Sequence, residues 1–219
     1  MQLYRWIAGA VMVAILFAPS SAGASPALPN LDQVKTAIET YYKSGNYTAD
    51  VAAIEADASR YIDKRVAAGV KKPALVFDID DTALLTLGYE LTHGFAYTQD
   101  SWNAYAAKTG FPAIAPTLAL SKHARLRGVA VFFVTGRPTT QTAMTAKALA
   151  GAGYTYVHLY LRPPGDKRKS VVPYKSSERA AIEAQGYTVL ETIGDQWSDL
   201  KGGHAERAFK LPNPMYYIP

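Results

Sequence analysis

The run Leu75-Val76-Phe77-Asp78-Ile79-Asp80-Asp81-Thr82 changes character abruptly: an apolar stretch ends in three carboxylates and a hydroxyl. A continuous run of large apolar side chains is what a parallel strand buried on both faces looks like. Open parallel sheets collect their ligands at the carboxyl ends of such strands. Asp78 and Asp80 therefore belong at the mouth of a crevice. Two carboxylates this close repel unless a cation, a shared proton or hydrogen bonds offset the charge. A turn in which Asp side chains cap a helix or bond their own backbone would use the same residues. On this run alone both readings stand.

The rest of the chain supplies the sheet. Asn30 or Asp32 can cap a short helix through Tyr42, and Thr48 a longer one to about Ala68, with Gly69 as its stop. In the longer helix Val51, Ile54, Ala58, Tyr61, Ile62 and Val66 recur at helical spacing and form a docking face. A first strand begins near Ala74, and further apolar segments fall at Val129 to Val134, Tyr156 to Leu161, Val189 to Ile193 and Ala208 to Leu211. Helical stretches at Thr139 to Ala150 and Ser177 to Gln185 intervene, each ending near a glycine. Strands alternating with helices imply an α/β fold, a Rossmann-like parallel sheet flanked by helices. The 57 residues from Asp78 to Thr135 exceed the roughly 30 of a simple crossover unit, so a small helical insert is expected at about 84–116. Its aromatics, Tyr89, Phe95, Tyr97, Trp102 and Tyr105, can wall the crevice or form the insert's own core.

Residues 1–24 read as an export signal: Arg5, an apolar stretch from Trp6 to Ala18, and Ala22-Gly23-Ala24 for cleavage. Thirteen apolar residues fall short of the roughly 20 that a spanning helix needs. A periplasmic or secreted domain over 25–219, without a stable membrane anchor, is the expectation. With no cysteine, it must be held by core packing alone. The formal charge of +5 is mild, and the basic stretch Arg162 to Lys169 is broken by Pro163, Pro164 and Gly165. Nucleic-acid binding would call for a longer basic face with interleaved aromatics, so no such partner is expected.

Three further stations follow the Asp cluster. Thr135-Gly136-Arg137-Pro138 ends the second apolar strand, where a hydroxyl and backbone N–H groups can hold anionic oxygens and Gly136 permits close approach. Lys175 lies just ahead of Ser176-Ser177, which can cap the next helix; its rivals are Lys167, Lys169 and Lys201. Gly194-Asp195-Gln196-Trp197-Ser198-Asp199 follows the strand at Val189 to Ile193, and Asp195 and Asp199, four residues apart, can point to one place. Oxygen ligands alone suit a hard cation such as Mg²⁺. Asp195 as a helix cap and Asp199 as a surface charge would also explain that segment, and His93, nearest the expected entrance, reads as an ordinary loop histidine.

Taken together, Asp78-Ile79-Asp80-Asp81-Thr82, Thr135-Gly136-Arg137, Lys175 and Gly194-Asp195…Asp199 resemble the motifs of the haloacid dehalogenase (HAD) superfamily of phosphohydrolases. With the tail Phe209-Lys210-Leu211-Pro212-Asn213-Pro214-Met215-Tyr216-Tyr217, the chain is similar to subfamily IIIB acid phosphatases, the group of plant vegetative storage proteins and bacterial class C enzymes. The resemblance implies a HAD-like fold and Mg²⁺-dependent hydrolysis of small phosphate monoesters. It assigns Asp78 as nucleophile and Asp80 as acid and base, with Thr135, Gly136 and Lys175 on the phosphoryl oxygens. Mg²⁺ would be held by the Asp78 carboxylate, the Asp80 backbone carbonyl and Asp195, with Asp199 helping directly or through water. Position 81 is Asp where many relatives carry Glu, a change that keeps the acid. Other readings are a non-catalytic storage or binding protein of the same fold, a phosphotransferase, and a carbon–halogen hydrolase; Asp80 and the pair at 195 and 199 argue against the last.

Overall fold

The computed structural model describes residues 28–166 and 168–218. The expected export signal lies outside the described residues. Within them, no helix is long and apolar enough to cross a membrane.

Helix α1 (Leu31–Lys43) opens where Asn30 Oδ1 accepts from the N–H groups of Asp32 and Gln33, at 3.0 and 3.3 Å. Helix α2 (Asn46–Ala67) starts earlier than Thr48, because Gly45 adopts φ 86° and turns the chain directly from α1 into α2. Val51, Ala58 and Ile62 are buried along it as their spacing predicts, and Ile54, Tyr61 and Val66 pack beside them. Strand β1 (Pro73–Phe77) then leads into the insert, helices α3 (Leu87–Thr92) and α4 (Gln99–Lys108). The two ends of the insert are tied together by hydrogen bonds from Leu85 N–H to Pro112 O and from Ile114 N–H to Ala83 O, each 2.9 Å. Helix α5 (Ala115–Leu126) completes the crossover to β2 (Ala130–Pro138).

A short 3₁₀ turn precedes α6 (Thr142–Gly151), followed by β3 (His158–Arg162) and α7 (Val172–Ala184). Strand β4 (Thr188–Gly194), the single-turn α8 (Trp197–Leu200) and β5 (Arg207–Lys210) end the sequence of elements. Helix α7 begins five residues before the expected Ser177, with Pro173 in its first turn, so Lys175 lies inside the helix rather than ahead of it.

All strand pairings are parallel, in the order β3-β2-β1-β4-β5. Connections leave β1 toward β2 on one side and reach β4 on the other, so the order reverses at β1 and a crevice opens at its carboxyl end. Both faces of the sheet are covered. Leu75, Phe77, Val131 and Phe133 join the larger core under α2 and α5, whereas Ala74, Val76, Phe132 and Val134 join the smaller one with Tyr174 and Ile182 of α7. Alternate residues of each strand thus serve opposite layers, which is why β1 reads as one unbroken apolar run.

The β1–β4 ladder slips between Ala74 and Leu75, pairing Ala74 with Val189 but Leu75 with Glu191. Glu191 is thereby enclosed in the sheet with no hydrogen-bond partner for its carboxyl among the described residues, and Glu55 of α2 is buried as well. Burial pushes both up to about 8, against a lowering pull from Thr117 on Glu55 and from Arg207 on Glu191. Each binds its proton more tightly folded than unfolded, so the stability it contributes is whole below the ordinary glutamate range and declines as pH rises to about 8. Replacing Glu191 by the uncharged isostere removes this slope. In denaturant melts, Glu191→Gln should gain on the parent by up to roughly 3 kcal/mol between pH 5 and 8, at about 1.4 kcal/mol per pKa unit. A gap that does not change with pH would show that Glu191 is already ionised in the folded protein.

Candidate active site

Asp78 is the first residue past β1, and its N–H still bonds Ile193 O of β4 at 2.9 Å. The sheet ladder therefore places its backbone. Asp195 is the first residue past β4, and Asp199 stands on α8 just beyond. One carboxylate oxygen from each of Asp78, Asp195 and Asp199 lies within 4.8 Å of the others, and all three residues are buried. Lys175, 4% exposed, reaches this cluster from the first turn of α7. Its Nζ donates to Asp78 Oδ1 and, at 2.6 Å, to Asp199 Oδ1. Of Lys169, Lys175 and Lys201, Lys175 is the one brought to the acids, and Lys167 lies outside the described residues.

Burial pushes the Asp78 carboxyl well up; Lys175 opposes this, and the charges of Asp199, Asp195 and Asp80 add to it. Burial likewise pushes Asp195 up to about 7, helped by Asp199 and Asp81 and opposed by Asn213 and Gln196. For Lys175 burial works the other way, yet the charges of Asp199 and Asp78 and the bonds to them hold its ammonium above the usual lysine range. Three carboxylates against one ammonium leave two negative charges in excess. A divalent cation on oxygen ligands closes that deficit, and the donor set contains nothing but oxygen.

The acids are held by neighbours from distant parts of the chain. Thr82 Oγ1 donates to Asp195 Oδ1 and accepts from Asp195 N–H, both at 3.0 Å. Asn213 Nδ2 and Gln196 Nε2 each donate to Asp195 Oδ2 at 2.7 Å. Asp199 Oδ2 accepts from Gln196 N–H at 2.8 Å, so Asp199 caps α8 and serves the cluster at once; it is no surface charge. The fully enclosed Arg179 donates to the carbonyls of Asp199 and Gly203, at 2.7 and 2.8 Å, and fixes the segment after α8.

Asp80 and Asp81, adjacent to the nucleophile candidate, part company. Asp81 sits at φ 55° and turns inward, accepting from Thr86 N–H (2.9 Å), Thr86 Oγ1 (2.5 Å) and Tyr216 Oη (2.7 Å). It secures the turn after β1. Asp80 points to the cleft, and both its oxygens accept from Arg137, from Nε at 2.9 Å and from Nη2 at 2.5 Å. Its side chain is thus apart from the carboxylate cluster. The role assigned to it in metal binding concerns its backbone carbonyl.

Thr135 is 1% exposed and lines the cleft with Gly136. The β2–β3 ladder skips from Thr135 to Pro138, so Gly136 and Arg137 bulge out of the pairing. Arg137 N–H donates to Thr135 Oγ1 at 3.2 Å, which fixes the hydroxyl within the loop and engages that backbone N–H.

The cleft above these groups holds about 470 Å³. Phe95, Tyr97 and Trp102 line it from the insert, Arg162 and Lys169 from the β3–α7 connection, and Tyr216 and Ile218 from the tail. Tyr89 and Tyr105, in contrast, pack inside the insert, and His93 stacks on Tyr89 while its Nδ1 lies 2.9 Å from Tyr89 O. Sequence reasoning missed the Arg137–Asp80 pair and the tail's hold on Asp195 and Asp81. For Arg137 the only signal was its place in the Thr135 motif; the tail carried none beyond its resemblance.

A parallel α/β domain with carboxylates from the ends of two central strands facing each other at the switch point has the HAD-like architecture. Residues 23–219 match the family described as HAD superfamily, subfamily IIIB (acid phosphatase), and the chain belongs to that family. It is 31% identical over 186 residues to acid phosphatase 1 of Solanum lycopersicum, covering 83% of this chain and 73% of that one. It is 38% identical over 154 residues to the stem 28 kDa glycoprotein of Glycine max, covering 67% of this chain and 61% of that one, less than two thirds of the relative's length. Its fold is similar to that of the class C acid phosphatase from Bacillus anthracis, with a TM-score of 0.70, 24% identity and coverage of 85% and 86%.

The close approach of Asp199 depends on Gly194. A methyl group there would overlap the Asp199 side chain. Gly194→Ala should therefore cost about 1–3 kcal/mol, the range for overpacking a tight interior, as read by denaturant unfolding. An unchanged midpoint would mean that α8 can shift without penalty.

Proposed function

We propose that the protein is a Mg²⁺-dependent phosphomonoesterase that works through an aspartyl-phosphate on Asp78. The observation that carries this reading is the buried cluster of Asp78, Asp195 and Asp199 around Lys175 at the floor of the cleft, with Asp80 on the wall beside it. Family membership supports the reaction class, and the oxygen donor set supports a hard divalent ion.

An Asp78 carboxylate oxygen attacks phosphorus, forming one P–O bond as the bond to the departing alcohol breaks. Asp80 gives its proton to the departing oxygen, then takes one from the water that displaces Asp78. Thr135 Oγ1 and Lys175 Nζ hold phosphoryl oxygens and stabilise their growing charge. When bound, Mg²⁺ offsets the repulsion between an anionic nucleophile and an anionic ester and polarises a phosphoryl oxygen. Asp78, Asp195 and the Asp80 carbonyl would hold it, with Asp199 in support. The export signal expected from the sequence at residues 1–24 supports action outside the cytoplasm, and family membership supports small phosphate esters as substrates.

Asp78→Asn removes the nucleophile while preserving shape. Hydrolysis of a chromogenic phosphate ester should fall at least about 10³-fold, given the size of nucleophilic contributions. Chelator should abolish the parent's activity and added Mg²⁺ restore it. Undiminished turnover by Asp78→Asn, or full activity in chelator, would overturn the reading.

A further inference from the structure

Arg137 has no part in the reaction as set out above, yet it is among the most constrained side chains in the cleft. It is 5% exposed, and its guanidinium grips both oxygens of Asp80. Nη1 donates to Thr145 Oγ1 of α6 at 3.2 Å. The ring centroids of Trp102 and Phe111, both from the insert region, lie 5.5 Å from the guanidinium carbon. Four separate features of the fold thus fix one cation: the bulge after β2, helix α6, and two aromatic faces.

We infer that Arg137 is a positioning residue that locks the Asp80 carboxyl in place for proton transfer, and that the insert, through Trp102 and Phe111, holds Arg137 in turn. The inference rests on the phosphomonoesterase reading. Asp80 projects into the cleft from a turn, with its side chain 24% exposed. An aspartate so placed is free to rotate about two torsions. A two-point fork removes that freedom, because both N–H groups align only when the carboxylate plane is set. General acid catalysis supplies about 10²–10⁴-fold only when the proton lies within hydrogen-bond reach of the departing oxygen, so a carboxyl that wanders loses most of it.

The charge arrangement separates this role from binding of the substrate phosphoryl group. The fork of Arg137 is taken up by both oxygens of Asp80, at 2.9 and 2.5 Å, whereas Lys175 serves the acids of the floor. A binding arginine would present its fork to the cleft; this one presents it to a side chain. The aromatic faces and Thr145 occupy its remaining surroundings.

The test uses the departing group as the probe. In p-nitrophenyl phosphate the departing phenolate is a weak base and needs no proton as the P–O bond breaks. In glycerol 2-phosphate the departing alkoxide is a strong base and does. With the full-length protein and Mg²⁺, kcat/KM is measured on both esters for the parent, Arg137→Lys and Arg137→Ala; this quantity reports the first phosphoryl transfer. Arg137→Ala should lower kcat/KM for the alkyl ester by about 10²-fold more than for the aryl ester, within the range of general acid effects. Arg137→Lys, which keeps the charge but loses the fork, should show the same bias to a smaller extent. Taking the ratio of the two rates in one preparation cancels any loss of folded protein. Guanidinium ion added to Arg137→Ala should restore the alkyl ester more than the aryl one. Equal losses on both esters would overturn the inference and leave the phosphomonoesterase reading intact. A parent that hydrolyses neither ester would instead overturn that reading.

Discussion

Three carboxylates with oxygens within 4.8 Å of one another, buried at the floor of the cleft and facing one ammonium, are the constraint on which the rest of this structure turns. Buried ionised carboxylates are costly unless they are paired and hydrogen-bonded. Lys175 neutralises one charge. The remainder must be met by protons or by a cation, which is why burial drives Asp78 and Asp195 upward. A fold built for stability alone would not gather these groups. This one can do so because Asp78 and Asp195 sit one residue past β1 and β4, where the ladder holds the backbone, and α8 brings Asp199 back to them.

Around that cluster the supporting bonds run between remote parts of the chain. Thr82, four residues past Asp78, clamps Asp195 at both its carboxylate and its N–H. The tail crosses back to give Asn213 to Asp195 and Tyr216 to Asp81. The two motif turns are thus cross-linked to each other and then fastened by the last stretch of the chain. Such outer contacts set carboxylate orientation, and losing one typically costs a metal site about 10–100-fold in affinity or activity. The tail that served in the sequence only as a mark of resemblance is, physically, a strap over the site.

How far the fold could be read in advance follows from what is local. The central strands β1 and β2 were legible because strands buried on both faces read as apolar runs, whereas the edge strands β3 and β5 are only partly buried, and the acids were legible because they break the apolar run at the strand ends. The start of α2 was misplaced at Thr48 because a left-handed Gly45 outcompetes a side-chain cap, and nothing in the pattern favours one over the other. The start of α7 was misplaced because Ser176-Ser177 offered a cap, whereas the helix opens at Val172 with Pro173, whose missing N–H costs nothing in a first turn. Glu191 was hidden inside an apolar strand, and only the ladder slip shows where it goes. The Arg137–Asp80 pair spans 57 residues and depends on the bulge after Thr135, which no periodicity encodes.

The division of the cleft into floor and walls has its own physical logic. The floor is made by the sheet ends and α7 and α8, all locked by ladder and cap bonds. The insert carries its own aromatic contacts at the edge of the larger core, where Trp102 and Phe111 stack at 4.8 Å and Tyr89 meets Trp102 edge-on at 5.0 Å. Its ends are hydrogen-bonded to each other, so it folds back on itself rather than threading through the domain. Side chains on its cleft face can therefore differ in size and polarity without straining the acids, provided Trp102 and Phe111 keep their place beside Arg137. That proviso joins the two halves: the aromatic wall of the insert and the Asp80 carboxyl, the proposed acid, are separated by a single guanidinium.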